Sequence, residues 1–290
     1  MPSPAYMRHA GHGFPDEKDE DMKLPTTTIG GVEISRMLCG SNPFFGHSHF
    51  TQARSTWQKR YFTVERIVEV MERCTEYGIN GVISGPVDKM YESIQALKDK
   101  TGRDFHWFCT PGGSLEEFKE GIKWCGEHDV TFCLPHPSFT DSHIVRSENK
   151  IEGLEDCLKM MRDLGMIPGV STHRPETPGV CDAAGYDVEC YVQIMNVLGF
   201  LCHVETPWAA RVIRGAKKPC VCIKPLAAGR ITPHEGLPYV YSVIAPKDTV
   251  AVGFLSPEEV DEDVQIAMSI LGQEEGEVAL DSTRSKEHLK

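Results

Sequence analysis

The chain has 290 residues, 40% of them hydrophobic, and a formal net charge of −12 at pH 7. That acidic balance argues against general binding to nucleic acid or to anionic membrane surfaces, and no apolar run reaches the ~18 residues of a membrane span. No basic segment followed by an apolar one opens the chain, and the 11 Cys form no CxxC pair, so the expectation is a cytoplasmic protein with reduced thiols.

Residues 1–22 carry Gly, Pro, His and the charge run Asp16 to Asp21 without apolar periodicity, and read as a disordered acidic tail. His9 and His12 in it read as solvated side chains rather than metal ligands. Thr26–Ser35, centred on Gly30-Gly31, reads as a hairpin that plugs the bottom of a barrel. Short apolar runs then alternate with helical patterns. The expected strands are Arg36–Cys39, Gly81–Ser84, His106–Cys109, Thr131–Leu134, Ile167–Val170, Tyr191–Met195, Cys220–Ile223 and Val250–Gly253. They are short and rich in Val, Ile, Cys and Phe, as parallel strands buried on both faces should be.

Between them stand helix signals. Thr63 caps a stripe of Val64, Ile67, Val68, Met71 and Cys74 that Gly78 closes. Ser114/Glu117 and Ser256/Glu259 are spaced as capping boxes, and Thr206-Pro207 offers an N-cap followed by Pro at N1. Ile151 to Leu164 forms another stripe, ended by Gly165. The weakest helical stretches follow Arg174, where Pro175, Pro178 and Gly179 interrupt, and span Thr232–Pro246. The alternation predicts an α/β fold, a (β/α)8 TIM barrel over residues 23–272 with an N-terminal β-hairpin, followed by a charged C-terminal tail at 273–290.

Barrel enzymes carry their chemistry at the C-terminal strand ends. There stand Asn42, His47 and His49 after the first strand, Ser84 after the second, His136 after the fourth, His173 and Arg174 after the fifth, Asn196 after the sixth, and Lys224 with Arg230 after the seventh. Imidazoles from separate strands suit a divalent metal, zinc or manganese, with His47, His49, His136 and His173 as ligands and Asp88, Asp141, Glu176 or Glu205 completing the shell. Without metal, the same histidines act as acid and base or hydrogen-bond backbone. Lys224 ends a buried strand, so its ammonium is either paired or depressed in pKa. It suits substrate binding, base catalysis or a Schiff base. Asn42, Trp57, Arg174, Asn196 and Arg230 are the expected substrate-binding residues, with Trp57 on a lid formed by His47–Arg60. That segment also suits a subunit contact.

Several motifs resemble the aldo/keto reductase superfamily. Thr28 to Arg36 followed by Cys39 to Gly46 is similar to that family's hairpin and first strand. Gly78-Ile-Asn80, Gly169-Val-Ser171, Pro225 to Gly229 and Gly253 to Asp263 follow in the family's order. The resemblance implies the barrel and a nicotinamide site using Ser171, Gln193 and Gly229. Of the family's catalytic Asp, Tyr, Lys and His, the aligned positions hold Ile83, Asp88, Pro111 and His136, so only the histidine matches. Ile223 replaces a ring-stacking aromatic. Glu258, Glu259, Asp261, Glu262 and Asp263 stand where the family needs positive charge for a 2′-phosphate, which favours NADH over NADPH.

The leading expectation is therefore non-redox, metal-assisted or metal-free acid–base chemistry, of lyase, isomerase or hydrolase type. Its substrate is a small polyhydroxy, sugar-like or carbonyl compound, and His136, His173 and Lys224 are catalytic. The alternatives are an NAD(H)-dependent oxidoreductase and a non-catalytic ligand-binding barrel. The expected partner is the small-molecule substrate, without nucleic acid or membrane; a homo-oligomer is compatible.

Overall fold

A computed structural model describes residues 23–272. The two tails assigned from sequence, and His9 and His12 with them, lie outside the described residues. β1 (Thr26–Ile29) and β2 (Val32–Ser35) form the antiparallel hairpin. Its turn runs through Gly30 and Gly31 at φ 55° and 83°, a region that glycine enters without Cβ strain.

The main sheet is parallel and built from β3 (Met37–Gly40), β4 (Gly81–Ser84), β5 (His106–Cys109) and β6 (Phe132–Cys133). After a two-stranded excursion, β7 (Ile144–Val145) with β8 (Lys150–Ile151), come β9 (Ile167–Pro168), β10 (Val170–Ser171), β11 (Tyr191–Ile194), β12 (Cys220–Ile223) and β13 (Thr249–Gly253). The order is β10-β11-β12-β13-β3-β4-β5-β6-β9. β9 and β10 are successive halves of one strand broken at Gly169. Gly169 N donates to Cys133 O on one side and Val170 N to Cys190 O on the other, which closes the barrel. This is the (β/α)8 TIM barrel read from the sequence.

Strand alternation sorts the core into two layers. Leu38, Phe108, Phe132, Leu134, Cys190, Val192, Val221 and Ala251 fill the barrel, and Ile29 and Ile34 of the hairpin seal its base. Met37, Cys39, Val82, Trp107, Val170, Tyr191, Cys220 and Val252 face the helices. The cysteines are all free, and ten are buried. Among the described residues no helix is long and apolar enough to cross a membrane.

The helices are α1 (Gln52–Tyr61), α2 (Val64–Glu76), α3 (Asp88–Thr101), α4 (Leu115–Glu127), α5 (Pro137–His143), α6 (Leu154–Asp163), α7 (Thr177–Ala184), α8 (Thr206–Gly215), α9 (Pro233–Val243) and α10 (Pro257–Ile270). Thr63 caps α2 as expected, and Ser114/Glu117 forms a complete capping box. Ser256 accepts from Glu259 N, but the Glu259 carboxylate reaches Leu255 N instead of closing that second box. Glu205, not Thr206, is the N-cap of α8. The two weak stretches are helical. Pro178 lies in the first turn of α7, where a missing N–H costs nothing, and Thr232/Glu235 boxes the start of α9. The expected loop His47–Arg60 contains α1, whose one buried side chain is Gln58.

Candidate active site

A cavity of about 690 Å³ opens at the C-terminal ends of the barrel strands. Its wall takes Asn42, His47 and His49 from the segment after β3, His136 after β6, and Ser171 and His173 at and after β10. Lys224 after β12 and Gly229 in the following loop complete that side. All four candidate histidines and the lysine thus share one space. Among the described residues that line it there is no tyrosine, and the one lysine is Lys224.

His136 is the N-cap of α5. Its Nδ1 accepts from Ser138 N at 3.1 Å and lies 2.9 Å from Ser138 Oγ. With Nδ1 accepting, the neutral ring carries its hydrogen on Nε2. His136 is exposed and lines the cavity. Burial, then the Lys224 charge, hold its pKa below the ordinary histidine value. His173 follows β10 on a loop held by Asp141 of α5, whose carboxylate accepts from His173 N (3.1 Å) and from Thr172 Oγ1. No hydrogen bond engages the His173 ring among the described residues. Burial and then Lys224 push its pKa down to about 4. His47 and His49 are likewise lowered, burial first, with Lys59 acting on the former and Lys224 on the latter. All four rings are thus shifted toward the neutral form at pH 7.

The Lys224 carbonyl accepts from Ala227 N at 3.0 Å, but its ammonium has neither a hydrogen bond nor an ion pair among the described residues. Burial alone pushes its pKa down to about 8. Its backbone stands at φ 61°, a left-handed conformation that costs a Cβ-bearing residue roughly 1 kcal/mol. Ala227, Ala228 and Gly229 continue left-handed through the loop.

Other expected site residues lie elsewhere. Trp57 is 48% exposed and stacks on Tyr61 at 4.8 Å on the outer side of α1. Helix α1 gives the cavity Arg54 and Gln58 instead. Asn196 is buried and clamps its own loop, exchanging hydrogen bonds with Phe200 N and O. Gln193 shares the outward parity of Tyr191, and its Nε2 donates to Arg174 O at 3.3 Å. Arg174 pairs with Glu176 in a separate side pocket. Arg230 holds the cavity rim: it donates to His49 O and Ala227 O and lies 4.2 Å from the Phe200 ring centroid and 5.1 Å from that of Phe50.

Among the described residues no three His, Cys, Asp or Glu side chains gather closely enough to hold a metal ion. His47, His49, His136 and His173 are therefore cavity neighbours and not an assembled ligand set. The cavity also fits a nicotinamide dinucleotide poorly. Gln193 is turned away, Ile223 offers no ring, and the far arm is lined by Glu259, Glu262 and Asp263, which repel phosphate. Arg54 and Gln58 escaped the sequence reading because they stand on a helix, away from strand ends; Glu259 and Asp263 entered it only through the resemblance, as acidic positions facing a 2′-phosphate.

No family model matches the chain, and no curated protein matches it in sequence. Solved structures do. A protein assigned as an aldo-keto reductase from Pseudomonas aeruginosa matches with TM-score 0.65 and 14% identity over 89% of this chain and 100% of that one. An aldo-keto reductase from a Medee basin deep-sea metagenome library matches with TM-score 0.53 and 10% identity over 89% and 99%. Octameric Rubisco from Pyrococcus horikoshii matches with TM-score 0.51 and 11% identity over 72% and 55%. The shared property is the fold: the chain has an aldo-keto-reductase-like TIM barrel.

Proposed function

We propose that the protein is an enzyme that moves a proton next to the carbonyl of a small anionic or polyhydroxy substrate, without a metal or nucleotide. The observation that carries this is Lys224, an unpaired ammonium facing the same cavity as the neutral rings of His136 and His173. A half-buried cation without a counter-charge favours an anionic ligand. In the step we assign, His173 takes the hydrogen from the carbon beside the carbonyl. The C–H electron pair moves into the carbonyl, and Lys224 Nζ–H and His136 Nε2–H hold the resulting oxyanion. Return of the proton to another carbon isomerises the substrate; cleavage of a carbon–carbon bond from the same intermediate makes a lyase.

The reductase proton-donor pair has no counterpart in this reading. Ile83 and His136 line the cavity, Asp88 is exposed at the start of α3, and no tyrosine is present in the wall. We place the protein in the cytoplasm on its unpaired thiols. A homo-oligomer fits the exposed Val197, Leu198, Leu201 and Trp208.

The test is hydrogen exchange in D2O, read by proton NMR. Pyruvate, dihydroxyacetone phosphate and glyceraldehyde 3-phosphate serve as probes, with EDTA present and no nucleotide. Deuterium should enter beside the carbonyl of at least one probe, and Lys224→Met or His173→Phe should slow it by about 100-fold. No exchange with any probe, together with turnover of the same compounds on adding NADH, would establish the oxidoreductase instead.

A further inference from the structure

The cavity has two electrostatic ends. Lys224 and the histidines occupy one. The other is built by α10 and α1, from Glu259, Glu262 and Asp263 with Arg54 and Gln58. Asp263 is 3% exposed and has no hydrogen bond or ion pair among the described residues. Gln58 is 2% exposed, and its Oε1 has no partner. Both line the cavity. Gln58 Oε1 is thus a buried acceptor left unsatisfied, and the Asp263 carboxyl, with no hydrogen-bond partner among the described residues, lines the same cavity; an unmet buried acceptor costs stability until a donor reaches it.

The charges of that arm are not balanced internally. Burial, then Glu259 and Glu262, drive the Asp263 pKa well up. Arg54 acts on Glu259, whose carboxylate is otherwise committed to Leu255 N. Among the described residues no ion pair joins Lys224 to Glu259, Glu262 or Asp263, although all four line the cavity. A ligand spanning the cavity meets a cation at one end and carboxylates at the other. A phosphate or carboxylate in the acidic arm would be repelled, whereas a group that only donates hydrogen bonds and carries positive charge satisfies both Asp263 and Gln58 Oε1.

We infer that the substrate is bipolar, an anionic carbonyl compound bearing a basic amine, with Asp263 and Gln58 receiving its ammonium while Lys224 receives its anion. This rests on the anion-binding role proposed for Lys224 and adds the chemistry of the far end. Asp263 and Gln58 then set specificity without touching the reacting carbon.

Calorimetric titration tests the assignment with ω-aminoalkanoates from 4-aminobutanoate to 8-aminooctanoate, each beside its alkanoate and its ω-hydroxyalkanoate. One chain length should bind the full-length wild-type protein at least about tenfold more tightly as the amine than as either isostere. Asp263→Asn should remove that preference and leave alkanoate affinity unchanged, whereas Lys224→Met should weaken all three. The wild-type comparison alone decides the matter if the Asp263 variant does not fold. Equal binding of amine and alkanoate, both sensitive to Lys224→Met, overturns the ammonium assignment and leaves the anion site standing. Equal binding of amine and hydroxyl compounds assigns the arm to hydroxyls and overturns it too. An amine preference untouched by Lys224→Met keeps the arm and removes the anion site. Failure of every probe to bind overturns both.

Discussion

Lys224 carries two costs at once: a left-handed backbone and a half-buried ammonium without a counter-charge. Neither supports the fold, so removing the charge should stabilise it. We predict that Lys224→Met gains about 1–3 kcal/mol at pH 7, measured by denaturant unfolding. The folded-state pKa, about 8, lies below the ordinary lysine value of 10.5, so across that window the unfolded chain holds the extra proton and wild-type stability rises with pH. The advantage of the variant should therefore shrink between those values. His173 gives the opposite end of the scale. Its pKa falls from 6.5 to about 4, so the stability of its neutral ring is present above 6.5 and lost as pH drops through that range. His173→Phe should flatten the acid side of the stability profile. An anion bound at Lys224 cancels the largest charge lowering His173, and NMR titration of its ring should show the pKa moving upward on ligand addition.

The element that shapes the cavity is α1, and it is held at three points. Lys89 of α3 donates to Phe44 O and Phe62 O, on either side of it. Arg230 fixes the preceding turn through His49 O. Gly46 allows the closest approach: at φ 69°, a Cβ there would lie 2.5 Å from Ser55 O. We predict that Gly46→Ala costs about 2 kcal/mol and displaces α1, weakening amine recognition through Gln58 more than anion binding at Lys224. Parallel calorimetry on both probe types measures the split. This element was also the least legible in the sequence. Its polar face leaves no apolar stripe, so Gln52–Tyr61 reads as a loop, and Trp57 draws attention to the wrong side. The strands were legible to within a residue or two because burial on both faces leaves only short apolar runs. Prolines concealed α7 and α9; Pro178 and Pro233 stand in first turns, where a proline starts a helix, while Pro238 lies inside α9. Strand-end logic located His136, His173 and Lys224. It had no means of locating Asp263, which the sequence reached only through the family resemblance, within the acidic run set against a 2′-phosphate.

At the scale of the whole molecule, one closed sheet separates support from chemistry. Below the cavity, Phe108 and Phe132 stack at 4.0 Å, and the hairpin closes the base through Ile29 and Ile34. Phe132→Ala should lose about 3–5 kcal/mol in a cooperative melt, since the space it leaves is enclosed by the barrel on all sides. Above, strands from around the barrel deliver neutral imidazoles and one free cation to a common space, and the outer helices add an acidic arm. The central claim is that Lys224 stands in that space without a partner. The 13Cε shifts of isotope-labelled lysines, followed from about pH 6 to 11 with Lys224→Met for assignment, test it most directly. One resonance titrating near 8 and missing from the variant is the predicted result. A Lys224 resonance that stays protonated above 10 would mean a paired ammonium and would contradict the account.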